Sequence, residues 1–253
     1  MKLLKAFRGY VFFAVVLGIW QLVGNPDSPL APTPSRWWPA FKTVESNGTL
    51  WTATAKSLEL YVESLVTGLV IGVVLGIAIG GSRVLSRMLG PLLEYCRTTP
   101  PALLVPAAVL LFGLHTYMEI GIVVFASVWP VLLSTAGARR ALPEQRLDVA
   151  RTLHFSWWKR MRKIVLPSLV PEIALGVRVA VPLCLLLVLL VDFLLGTGGL
   201  GYVLIQSQQS FASAQAWALV AFIGVLGRLI TVVVDRSERL VLRRWPTLAA
   251  DAG

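Results

Sequence analysis

Long apolar runs separated by short charged stretches dominate the sequence, and their lengths set the first expectations. A helix needs about 20 apolar residues to cross a hydrocarbon core of about 30 Å. Residues 60–81 make one full span, about 33 Å at 1.5 Å per residue. Further spans are predicted at about 10–24, 120–137, 173–196 and 214–234. The run 102–114 is shorter, contains Pro106, and by length alone reads as a buried or re-entrant helix. Charge decides otherwise. If 102–114 did not cross, the next span would deliver the basic stretch after Gly137 to the outside, against the insertion bias that keeps Lys and Arg in the cytoplasm. It is therefore expected to cross, with an irregular, proline-kinked start at TTPP. Six spans then put both termini in the cytoplasm, and the outer loops after spans three and five carry no Lys or Arg. The expected fold is all-α and integral to the membrane, with 1–253 forming one transmembrane domain.

The first run, Tyr10–Gly24, follows Lys2, Lys5 and Arg8 and is short for a span. A signal peptide has that form, but no small-x-small cleavage site follows and Pro26, Pro29 and Pro32 crowd the junction. An uncleaved first helix entering from the cytoplasm is expected. In PTPSRWWPAF, Ser35 is placed to cap a short helix through Phe41, with Trp37 and Trp38 at the outer interface. In the second span Gly68, Gly72, Gly76 and Gly80 recur every fourth residue. A stripe of that kind lets another helix backbone approach closely. Packing inside the subunit is the first use to expect, and a dimer seam the second.

The longest charged interruption is 139–171, where Arg139, Arg140, Arg146, Arg151, Lys159, Arg160, Arg162 and Lys163 gather. It reads as two short helices. Pro143 suits a first helical position, Glu144 and Asp148 complement the helix N-terminus, and Leu147, Ala150, Leu153 and His154 share a face. Ser156 then caps a second helix bearing Trp157 and Lys159, Arg160 and Lys163, which Pro167 and Pro171 are expected to stop. The basic, Trp-bearing second helix suits a membrane interface, whereas the small-faced first helix suits a partner.

Composition agrees with these spans: of 253 residues, 56% are hydrophobic and only 14% charged, so a water-soluble domain is excluded. A net charge of +10 would point to nucleic acid in a soluble chain. Here the cations fall between apolar runs, so membrane orientation explains them and no nucleic-acid partner is expected. Cys96 and Cys184 show no metal-ligand spacing. His115 and His154 are expected on different membrane faces, too far apart for a metal site. Gly-Lys never occurs, so the chain has no phosphate loop of its own. The carboxylates Glu59, Glu63, Glu119, Glu172 and Asp192 all sit near span ends, whereas a proton-coupled carrier would place an acid near the midplane. Nothing looks catalytic, and any transport would draw its energy from another subunit.

Four stretches carry a resemblance: APTPSRWWPAF, TPPALLVPAAVLLFG, the 139–167 segment and LLVDFLLGTGGLGYVL. Effectively end to end, the chain resembles the permease subunits of bacterial ABC importers of the nitrate/sulfonate/taurine type. The most specific match is to their EAA loop, here Asp148-Val149-Ala150 followed by Ile164-Val165-Leu166-Pro167. The resemblance implies that the first short helix is a coupling helix, with Asp148, Val149, Ala150, Leu153 and His154 carrying the contact to an ATPase subunit. It also implies two copies of that ATPase, which hold ATP and Mg, together with an outer solute-binding protein and a homodimer of this chain in the inner membrane. The solute would be a sulfonate, taurine, nitrate or a small heterocycle. The family usually has Glu at position 148, Ala at 149, Gly at 154 and Glu at 192. His154 is the sharpest departure, because glycine accepts the positive φ such a turn asks for and other residues resist it. A non-transporting scaffold and an ATP-independent carrier are the alternatives from other classes.

Overall fold

The computed structural model describes the backbone of residues 2–244, and side chains within it except those of 2–10, 144, 149–151 and 243–244. Every regular element among the described residues is helical. In chain order these are α1 (Lys2–Val23), a 3-10 turn (Pro34–Arg36), α2 (Trp37–Ser46), α3 (Thr49–Gly81), α4 (Arg83–Thr98), α5 (Pro101–Phe112) and α6 (Thr116–Arg140). There follow α7 (Glu144–Thr152), α8 (Trp157–Arg160), a π-helical turn (Met161–Val165), α9 (Leu166–Leu195), α10 (Leu200–Gln209) and α11 (Ser213–Arg244). Four stretches, Thr49–Gly81, Thr116–Arg140, Trp157–Leu195 and Ser213–Leu242, are long and apolar enough to cross a membrane. A fifth candidate is the pair α4 and α5, bent by 95° between them, and Val11–Val23 is a shorter apolar helix.

The bend has a local cause. Thr99 and Pro100 both precede a proline, which disfavours the helical region, and both are extended at ψ 122. Pro101 then restarts the helix at its first position, where a missing N–H costs nothing. Gly113, at φ 73, ends α5.

Two expectations about prolines and caps change. Pro167 and Pro171 do not stop the second short helix, which runs on into α9 as one helix, Trp157–Leu195. The π turn Met161–Val165 ends two residues before Pro167. Its shifted hydrogen-bond register accommodates a residue that cannot donate to the preceding turn. Ser35 does not cap a helix either, because the 3-10 turn already includes it and its N-cap, Thr33, makes no capping bond. Ser35 instead pairs reciprocally with Gln21, its backbone N–H donating to Gln21 Oε1 at 2.9 Å and its hydroxyl accepting from Gln21 Nε2 at 3.2 Å.

The chain divides into two compact units. One comprises 1–57 and 192–226. Its core holds Val44, Leu50, Ala53, Leu200 and Leu219. Trp20 sits edge-on to Trp37 and Trp217, which stack at 5.9 Å, so Trp37 is half-buried in an aromatic cluster while Trp38 alone of the pair is exposed. Both indole N–H groups find backbone carbonyls: Trp37 donates to Pro32 O at 3.2 Å and Trp217 to Leu30 O at 3.0 Å.

The other unit comprises 58–191 and 227–253, with Val123, Val131, Leu132, Val181, Cys184 and Val188 in its core. The glycine stripe of α3 lies against α6. A Cβ on Gly72 would stand 3.0 Å from Val131 Cβ, one on Gly76 2.6 Å from Thr135 Cβ, and one on Gly80 2.5 Å from Ala136 O, while Gly68 faces Ser127. Gly176 of α9 brings a third helix against Pro130 and Val131 of α6 in the same way. In a lipid setting this close contact stabilises the bundle by dispersion, since lipid tails are as apolar as the side chains.

Candidate functional site

The helix pair between α6 and α9 is built from its own small core. Leu142, Val165 and Leu169 are buried together, and Leu147, Met161, Ala138 and Ile77 pack around them. Leu147 therefore anchors α7 inward and does not share an outer face with Leu153. The reason is helix length: α7 ends at Thr152, and Leu153 falls in the turn that follows, 57% exposed. Arg146 Nη1 donates to Ser168 Oγ at 3.3 Å, a second tie between α7 and α9. Pro143 stands one residue before α7 and not at its first helical position, and its carbonyl accepts from Arg146 N at 3.1 Å.

His154 has φ 49, the left-handed region where a glycine would carry no steric penalty. Ser156 then caps the next helix, its hydroxyl accepting from Lys159 N at 3.4 Å. Lys159 Nζ sits 4.6 Å from the Phe155 ring centre, and Trp157 and Trp158 are exposed, edge to face at 5.3 Å. Asp148 in the middle of α7, Thr152 at its end and Leu153 and His154 in the turn that follows are each exposed, while Leu147 and Arg146 tie the helix to its neighbours. The side chains of Val149 and Ala150 lie outside the described residues. Chemically this end of the helix pair offers one apolar side chain, one carboxylate and one imidazole to the surroundings.

A polar knot in the first unit was not expected. Asp192, read from sequence as one more acid near a span end, is 1% exposed. Its carboxylate accepts from the Ser57 and Thr197 hydroxyls, and Ser57 Oγ in turn accepts from Leu200 N at 2.8 Å. Lys56 Nζ donates to Thr197 O. The loop Gly196–Gly199 turns with Gly196 at φ 68 and Gly198 at φ 87, and the helix α10 follows it. A Cβ on Gly199 would overlap the Asp192 carboxylate. Only pairing across the sequence reveals the knot, so no local signal could have found it. In the second unit an apolar groove of about 610 Å³ lies between α5 and α6, lined among others by Leu104, Leu111, Met118, Phe125 and His115.

The family model for the Binding-protein-dependent transport system inner membrane component matches residues 68–246, which include the α3 stripe, the helix pair and all of α9. The chain belongs to this family. It is an ABC importer permease and a multi-pass inner membrane protein, and permeases of this family are not themselves enzymes. The SsuC permease protein of Bacillus subtilis, named for aliphatic sulfonates transport, is 26% identical over 93% of this permease and 87% of its own length. The bicarbonate transport system permease protein CmpB of Synechococcus elongatus is 31% identical over 64% of this chain and 59% of its own length. The nitrate import permease protein NrtB of Leptolyngbya laminosa is 26% identical over 88% and 83%. In fold, the permease superposes on a chain of the MetNI methionine ABC transporter in an inward-facing conformation with a TM-score of 0.67, at 19% identity, over 78% of this chain and 98% of that one.

Proposed function

We propose that this permease forms the translocation path of an ATP-driven importer for a small anion such as a sulfonate, taurine, nitrate or bicarbonate. The observation that carries the reading is the anchored helix pair, because α7 is held from behind by Leu147 and Arg146 and presents Asp148, Leu153 and His154 outward. That arrangement transmits a push. A partner gripping the tip moves α7, and through Leu142, Val165 and Leu169 it moves the ends of α6 and α9. Two ATPase subunits gripping two such tips on a homodimer would rock the paths between outward and inward openings. ATP and Mg belong to those subunits, and this chain holds no cofactor. Six spans, with the bent pair α4 and α5 as the third, would place both termini and the helix pair in the cytoplasm, and an outer binding protein would deliver the solute.

The test is a mild-detergent pull-down of the tagged full chain from native membranes, with partners quantified by mass spectrometry. Stoichiometric recovery of an ATPase subunit supports the reading, and a co-recovered binding protein can be screened against the named anions. Recovery of the chain without any ATPase would move the weight to a non-transporting scaffold.

A further inference from the structure

Arg83 and Arg87 on α4 and Arg139 and Arg140 at the end of α6 are distant in sequence, yet all four line one cavity of about 330 Å³. Gly80, Gly81, Ser82 and Ser86 complete much of its wall, and among the described residues no carboxylate lines it. Among the described residues no Asp or Glu forms an ion pair with any of the four arginines. Arg140 is oriented by Ser86, to whose hydroxyl its Nη1 donates at 3.2 Å, and by Ala136 O, to which its Nε donates at 3.3 Å. The Nε of Arg139 is buried and has no hydrogen-bond partner, and it lies 3.6 Å from where a Cβ on Gly81 would stand.

Arg83, Arg87 and Arg140 are exposed, as span-end arginines that turn their heads to water are, whereas Arg139 is half-buried. Burying a guanidinium N–H without an acceptor, beside like charges, is costly unless something negative enters. The planar forks of several arginines match a tetrahedral oxyanion, which each can engage through paired N–H bonds. We propose that this cavity is a binding site for one phosphate- or sulfate-type oxyanion, either free in solution or the headgroup phosphate of an acidic lipid. Leu142 and Leu147 also line it, so a bound anion bridges α4 and α6 at the base of the helix pair. This goes beyond the importer reading, and its test needs no ATPase partner.

The full-length chain is reconstituted in phosphatidylcholine nanodiscs, and its Tm is followed as sodium sulfate replaces sodium chloride at constant ionic strength. A second arm uses nanodiscs containing phosphatidylglycerol and no sulfate. A saturable rise in Tm is expected in at least one arm, with half-saturation weakened at least tenfold in the Arg83→Gln/Arg139→Gln double variant. A response to sulfate identifies a free oxyanion as the ligand, and a response confined to the lipid arm identifies a headgroup. Should the double variant fail to fold, Arg139→Lys, which keeps the charge and loses the planar fork, takes its place with the same expected direction. No rise in either arm for the unaltered chain, or an equal rise in the variant, overturns the site.

Discussion

Ser57 and Asp192, on α3 and α9, are joined by a hydrogen bond from the Ser57 hydroxyl to a carboxylate that is almost wholly buried. The same hydroxyl accepts from Leu200 N, so one serine connects α3, the end of α9 and the start of α10. Replacing Asp192 with Ala should leave the Ser57 and Thr197 hydroxyls without their acceptor, costing about 1–3 kcal/mol, more if the carboxylate is charged. Asp192→Asn, which retains an acceptor oxygen, should cost less. Thermal unfolding of the purified chain ranks the two, and equal losses would mean that shape and not hydrogen bonding matters there.

Gly76 and Gly224 make a matched pair of tests. A Cβ on Gly76 would stand 2.8 Å from Leu132 O and 2.6 Å from Thr135 Cβ, whereas nothing lies within 4 Å of one on Gly224. Gly76→Val should therefore force α3 off α6 and destabilise by about 1–3 kcal/mol or more, as overpacking does. Gly224→Ala should be neutral or stabilise by up to about 1 kcal/mol through helix propensity. The comparison is read from detergent-resistance or thermal-unfolding midpoints.

At His154 the backbone, not the side chain, sets the expectation. With φ at 49, His154→Gly removes the left-handed penalty of about 1–2 kcal/mol, partly offset by the greater freedom of glycine when unfolded. The net result should be a small stabilisation. His154→Val should destabilise, since a β-branched residue fits that region least. A Tm that falls for both variants would show that the imidazole itself holds the turn.

Leu147 and Leu153 lie close in sequence and should behave oppositely. Leu147 packs against Leu142, Val165 and Leu169, so Leu147→Ala should cost about 2–5 kcal/mol of stability. Exposed Leu153 should tolerate Leu153→Asp with little change in Tm, yet lose ATPase co-purification if the tip is the docking surface. Retained ATPase recovery in a folded Leu153→Asp variant would remove the coupling role from this turn.

Much of the architecture was legible because membrane insertion imposes one-dimensional rules. Hydrocarbon thickness fixes run length, and Lys and Arg mark the ends of runs, so α3, α6, α9 and α11 were readable as apolar stretches, although α3 begins well before residue 60. Local chemistry also placed the Ser156 cap, which depends on neighbours within a few residues, whereas the positive φ at His154 was implied by the family resemblance and not by the helical spacing. Where the reading failed, a local rule met a non-local remedy. Pro167 was expected to end a helix, but the π turn before it lets Trp157–Leu195 continue, supported by Val165 and Leu169 in the buried cluster. Leu153 matched the helical period on paper and fell outside the helix, because the chain leaves α7 at Thr152.

By itself, then, the sequence determined that this is an all-helical membrane chain with a charged helix pair between its fourth and fifth expected spans, since hydrophobic length and charge placement are properties of consecutive residues. Only the tertiary structure decided which polar groups meet. Asp192 looked like a span-end acid until Ser57 and Thr197 closed on it, and Arg83 and Arg87, more than fifty residues from Arg139 and Arg140 in the chain, meet them around one cavity. Such pairings follow from which helix faces come together, and the close approach at Gly72, Gly76 and Gly80 that sets one of those faces is a three-dimensional fact.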